Sequence, residues 1–172
     1  MAAARFGLLL ASCLLAAGCG RTDTNCQPAG RHPDSAVEDE IRRLFPTAVR
    51  TEEADIPFPH TVIYGPNQTL LGYRVESDDV GTTAQGYNGP VPVRVYLDPA
   101  LTLVQVRLLE HQETPAYMRV VLNSSLLERV LDYRPGHTET IDAVTLATIS
   151  SAAIIQGVTR TVDRTTERLA PR

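Results

Sequence analysis

The feature that most limits how this chain can fold is a change of apolar period partway along it. In "TVIY" (61–64), "TLLGYRVES" (69–77), "VPVRVYLD" (91–98) and "LTLVQVRLLEH" (101–111) the pattern suits strands. It is clearest in the third, where Val91, Val93, Val95 and Leu97 fall on one side and Arg94 and Tyr96 on the other. "GPNQ" turns between the first two. "PA" links the last two so tightly that they must pair antiparallel. The intervening "DDVGTTAQGYNGP" (78–90) is rich in glycine and turn formers and reads as a loop.

Beyond "ETPAYM" the period lengthens. Met118, Val121, Leu122, Leu126, Leu127, Val130 and Leu131 form one wide apolar helical face, which "YRPGHT" ends. A second long helix is predicted over 149–168, with Ala152, Ile155, Val158 and Val162 inward. Gly157 inside it costs about 1 kcal/mol relative to alanine, which points to close packing there. Near the start, Ser35 and Glu38 have capping-box spacing ahead of a stripe of Val37, Ile41, Leu44 and Phe45, and Pro46 ends that helix. The stretch after it, with Pro57 and Pro59, reads as irregular. A sheet in the middle and helices at both ends predict a single α+β domain, an antiparallel sheet flanked by helices.

The first residues read as export rather than fold. Arg5 precedes an apolar and small-residue run, Phe6 to Ala17, and "LAAGC" follows, ending at Cys19. The run is shorter than the roughly 20 residues a membrane-spanning helix needs. It resembles a bacterial lipoprotein signal with its leucine, Leu15, one place earlier than usual; a plain signal peptide is the alternative. The resemblance implies a signal over 1–18, lipidation at Cys19 and a membrane-anchored, extracytoplasmic protein. Residues 19–34 would be a flexible tether and 35–172 the folded domain. Cys26 then has no cysteine to pair with.

Composition removes several chemistries. The 16 basic residues against 20 acidic ones give a formal net charge of −4, without a basic patch or tail, which argues against nucleic acid as a partner. Every basic residue is arginine, so a lysine Schiff base and a P-loop lysine are excluded. His32, His60, His111 and His137 are scattered, without metal-ligand spacing.

One segment carries chemistry: "IDAVTLATISSAAIIQGV", beginning at Ile141. Thr145, Thr148, Ser150 and Ser151 gather near the start of the last helix. A helix N-terminus offers free N–H groups and the positive end of a dipole, so it attracts phosphate. Equally, Thr145 or Thr148 could serve only as an N-cap.

This segment is similar to the signature of the FMN-binding domain found in subunits of the sodium-pumping quinone reductase, the Rnf complex and related exported flavoproteins. The family pattern is Asp, two residues, Ser or Thr, Gly, Ala, Thr. Here it is met by Asp142, Thr145, Ala147 and Thr148, with Leu146 in the glycine position. "LLGYRVES", "GYNGPVPVRVYLD" and "VQVRLLEHQETPAY" extend the resemblance in order, over roughly residues 45 to 160.

The resemblance implies that Thr148 carries FMN through a phosphoester and that a separate Mg²⁺-dependent flavin transferase moves it there from FAD. Asp142 would belong to the part that the transferase reads. It further implies that Glu113 and Thr114 of "ETP" lie against the flavin ring, although Thr114 as N-cap and Pro115 as first helical residue also explain that motif. In "GYNGP", Gly89 would allow close approach of backbone to a ligand and Tyr87 would pack near the cofactor or in the core. The function implied is electron relay with membrane redox partner proteins. The alternatives are a same-fold lipoprotein without flavin, which Leu146 favours because its side chain would crowd the phosphate, and a flavin-dependent reductase with a soluble substrate.

Overall fold

The structure is a computed structural model and describes residues 35–136 and 140–170. The signal segment 1–18, Cys19, the tether 19–34 with Cys26 and His32, and His137 lie outside the described residues, as do the side chains of Ser35, Val37 and Glu38.

The strands are β1 (Arg50–Ala54), β2 (His60–Tyr64), β3 (Leu70–Glu76), β6 (Val93–Leu97) and β7 (Leu103–Leu108), which form one antiparallel sheet in the order β1-β2-β3-β6-β7. Between β3 and β6 lie two short strands, β4 (Ala84–Gln85) and β5 (Pro90–Val91), paired only with each other. The helices are α1 (Ser35–Leu44), α2 (Pro115–Leu122), α3 (Leu126–Leu131) and α4 (Thr148–Leu169). Among the described residues no helix is long and apolar enough to cross a membrane.

Alternation along β6 separates two cores. Val93, Val95 and Leu97, with Val75, Leu103 and Val106 of neighbouring strands, face Ile154, Val158 and Val162 of α4. Tyr96 points the other way and packs with Ile63 against Ile41 and Phe45 of the α1 end. Arg94 reaches Glu76 at 2.7 Å, and Glu40 takes ion pairs from Arg94 and Arg107, fastening α1 to the sheet. Gly72 has no room for a side chain, since a Cβ there would lie 2.2 Å from the Leu97 carbonyl oxygen. The result is the single α+β domain that the periodicity predicts.

Besides β4, which pairs with β5 inside the stretch read as a loop, three elements depart from expectation. β1 falls within the stretch read as irregular: its residues are almost all exposed and charged or polar, and β2 supplies its pairing. The helix read across 118–131 is broken at Asn123–Ser125; the Ser124 hydroxyl donates to the Val121 carbonyl at 2.6 Å and accepts from the Leu126 N–H. The buried residues of α4 are Ser150, Ser151, Ala153, Ile154, Gly157, Val158, Thr161, Val162 and Thr165, whereas Ala152 and Ile155 are only partly buried. Hydroxyls reach the buried face because each finds a partner: Thr161 bonds back one turn to Gly157 at 2.6 Å and Thr165 to Thr161 at 2.7 Å, while Ser150 donates to Glu113.

Candidate functional site

The chain turns sharply before α4. Ala147 N–H donates to the Val144 carbonyl at 3.1 Å, and Leu146 lies at φ 71°, the left-handed region that favours glycine. Ser151 secures this turn from inside the helix. Its hydroxyl donates to the Ala147 carbonyl at 2.8 Å, and its oxygen accepts from the Val144 N–H at 2.8 Å. The N-cap is Ala147, which has no side-chain acceptor for the first-turn N–H groups. Thr145 is exposed two residues before it, and Thr148 is the first helical residue, with its own hydroxyl 3.5 Å from the Val144 carbonyl. Neither threonine is the cap. The mouth of a 22-residue helix is therefore left without a side-chain cap, with the Thr148 side chain exposed beside it.

Opposite this mouth stands the loop between β4 and β5. Gly86 N–H donates to the Gly89 carbonyl at 2.7 Å, which closes the loop, and Gly89 itself is buried at φ 154°. Glu113 ties the loop to α4. It is only 4% exposed; its Oε1 accepts from the Asn88 backbone N–H at 2.6 Å, and its Oε2 accepts from the Ser150 hydroxyl. Burial pushes the Glu113 carboxyl up. Hydrogen bonds from Ser150 and from the Asn88 and Tyr87 backbones, with His111 nearby, outweigh burial and hold it below the usual glutamate range. The Thr114 hydroxyl accepts from the Asn88 side-chain amide at 2.9 Å. Thr114 is thus the N-cap of α2 by position, with Pro115 next, but its hydroxyl caps nothing.

Between these elements lies a cavity of about 260 Å³ lined by Tyr87, Tyr117, Leu146, Ala147, Thr148, Ile149 and Ser150. Tyr87 and Tyr117 meet edge to face, with ring centroids 6.2 Å apart. Tyr87 is 62% exposed, Tyr117 41% and Ile149 54%, so this wall is open to solvent. Leu146 is 79% exposed on the rim. Its backbone takes the glycine-like conformation, and its side chain lines the cavity beside Ala147 and Thr148.

Of the residues singled out from sequence, Tyr87, Ala147, Thr148 and Ser150 line this cavity. Glu113 stands behind Ser150, Thr114 reaches the same loop through Asn88, and Gly89 forms the loop's base. Ser151 is buried and turned into the helix start, and Asp142 and Thr145 are exposed away from the cavity lining. Sequence reasoning missed Tyr117, Ile149 and Asn88. Tyr117 lies three residues past Thr114, and helical spacing alone keeps it at the same end of α2. Gly86 is dictated by the fold: a Cβ there would lie 2.7 Å from Val91 Cγ2 and 2.8 Å from Glu113 Oε1.

Residues 86–163 match the family model of the FMN-binding domain. No curated protein matches the chain. The match begins at the loop that carries Tyr87 and runs through the "ETP" turn into α4; "LLGYRVES", upstream, lies outside it. Over residues 86–163, the stretch that builds this cavity, the chain carries a match to the FMN-binding domain family.

Proposed function

We propose that this chain is a membrane-anchored, extracytoplasmic flavoprotein that relays electrons, with FMN joined through its phosphate to Thr148. The observation that carries the reading is the exposed Thr148 at the uncapped mouth of α4, inside a cavity walled by two tyrosines. First-turn N–H groups suit a phosphate, and flat aromatic walls suit an isoalloxazine. The cavity's 260 Å³ falls just below the roughly 300–1,000 Å³ of closed small-molecule sites. Such a site would cover part of the cofactor and leave part in contact with solvent and partners.

A threonine hydroxyl needs a base to act as a nucleophile. Among the described residues none lines the cavity beside Thr148: Glu113 is the nearest carboxylate in the bonded network, and both its oxygens are engaged. The attachment is therefore assigned to a flavin transferase. The Thr148 oxygen attacks the flavin-side phosphorus of FAD, a phosphoester forms, the pyrophosphate P–O bond breaks, AMP leaves, and the hydroxyl proton passes to the transferase. Attachment makes ring binding intramolecular, which offsets the weakness of an open site. When bound, FMN supplies the redox chemistry; Tyr87, Tyr117 and the α4 mouth orient it and leave an edge exposed for a membrane redox partner. Lipidation at Cys19 would hold the domain at the bilayer, with residues 19–34 as tether.

The test is the visible spectrum of the full chain matured in a host that makes the transferase, before and after denaturation and desalting. Flavin absorbance that stays with the unfolded chain, and vanishes in Thr148→Val, supports the reading. Absorbance lost on desalting contradicts covalent attachment, and a colourless chain contradicts the flavin reading itself. Detergent-phase partition that is abolished by Cys19→Ser tests the anchor.

A further inference from the structure

At the mouth of α4 the serine hydroxyl protons are already committed. Ser150 donates to Glu113 and Ser151 donates to the Ala147 carbonyl. A hydroxyl has a single proton to give, so neither serine donates to an anion in the cavity. That leaves the first-turn N–H groups and Thr148. Directly behind Ser150 sits the Glu113 carboxylate, 4% exposed, with both oxygens held by neighbours. It brings a full negative charge to a helix end worth about half a positive one. The field at the mouth therefore opposes each further negative charge on a ligand, while the N–H groups still accept one anion.

We propose that Glu113 sorts phosphate esters at this site by charge, admitting a phosphodiester with one negative charge and disfavouring a phosphomonoester. The inference rests on the FMN reading above and deepens it. Free FMN is a phosphomonoester, and such groups carry about −1.5 to −2 at pH 7. Joined to Thr148, the same phosphate is a diester with one charge. The site is then built to keep the tethered cofactor and to turn away free FMN and other phosphomonoesters, which would otherwise compete for the helix mouth. The depressed titration of Glu113 agrees with its holding this charge at neutral pH. Glu113 is in this account a specificity-determining residue that acts through Ser150 and through its field; with both oxygens engaged, it does not contact the ring.

The test uses the full chain purified without transferase, titrated at neutral pH and low salt with FMN, with the methyl phosphodiester of FMN, and with riboflavin. Quenching of flavin fluorescence reports binding. The wild-type chain is expected to bind the methyl diester about tenfold more tightly than FMN, the scale of one extra charge at short range behind a protein wall. Glu113→Gln removes the charge, and its amide can donate to Ser150 and turn that hydroxyl toward the cavity. It should bring the affinities for FMN and the diester together, so that their ratio, read within the same variant, falls from about ten to about one. Equal or tighter wild-type binding of FMN over the diester overturns the proposal, and this comparison needs no variant to fold. That outcome leaves the flavin reading standing, since both flavins still bind. A chain that binds none of the three, and retains no flavin after maturation with the transferase, overturns the flavin reading and this inference together.

Discussion

Glu113 and Ser150, 37 positions apart, are joined by one hydrogen bond in which the serine hydroxyl donates to the buried carboxylate. That bond connects the "ETP" turn to the first turn of α4, and the other carboxylate oxygen connects both to the loop of Tyr87. The cavity exists because these three segments are held together.

Acid should loosen the site. The folded-state pKa of Glu113 lies below its ordinary value, so its stabilisation is fully present above the unfolded value of about 4.3 and is lost as pH falls through the folded one. His111, whose ring nitrogen accepts from the Glu113 backbone N–H, is the basic side chain beside it. Wild type should therefore have a higher Tm than Glu113→Gln near neutrality, with the gap closing below about pH 4. A gap that stays constant to low pH would show that the carboxylate charge adds no stability.

Glycine substitutions should split by geometry. Gly157→Ala places its Cβ 3.4 Å from Val93 Cγ2, an ordinary contact, in a helix interior. It should stabilise by about 0.5–1 kcal/mol in urea unfolding. Gly86→Ala meets Val91 and the Glu113 carboxylate below 3.0 Å and should destabilise by about 1–3 kcal/mol. The same sign for both would contradict the packing described.

Leu146→Gly should not destabilise the domain. The left-handed backbone costs a non-glycine residue roughly 1–2 kcal/mol, and a side chain 79% exposed loses little burial on removal. Against this stands the greater freedom of glycine in the unfolded chain, about 0.5–1 kcal/mol. The unfolding midpoint is expected to stay or rise slightly. A clear fall would mean that the leucine packs in a way its exposure does not suggest.

Two isoleucines on α4 separate fold from site. Ile154 is fully buried in the core, and Ile154→Ala should cost about 2–5 kcal/mol. Ile149 is 54% exposed on the cavity wall, so Ile149→Ala should leave stability within about 0.5 kcal/mol. Its effect belongs on flavin fluorescence, measured on the matured chain.

Much of this was legible because strand and helix periods differ and β6 is apolar on alternate positions. β1 carries no such signal: "RTEEA" is an edge strand whose pairing comes from its neighbour. The break at Asn123–Ser125 was hidden because apolar spacing runs through it. The register of α4 was misread because buried hydroxyls at Ser150, Ser151, Thr161 and Thr165 look polar in sequence, yet each bonds internally. At the site, the residue types around Thr148 pointed to a phosphate, but the commitment of both serine protons and the position of Leu146 follow only from three-dimensional contacts.

The most direct test of the central claim is peptide mass mapping of the chain matured with a flavin transferase. Trypsin releases Val130–Arg160, which contains Thr148 among other threonines. The expected result is a gain of FMN less one water on that peptide, fragmented to Thr148 and absent in Thr148→Val. An unmodified peptide from a chain exported alongside an active transferase, or a flavin mapped to any other residue, would contradict it.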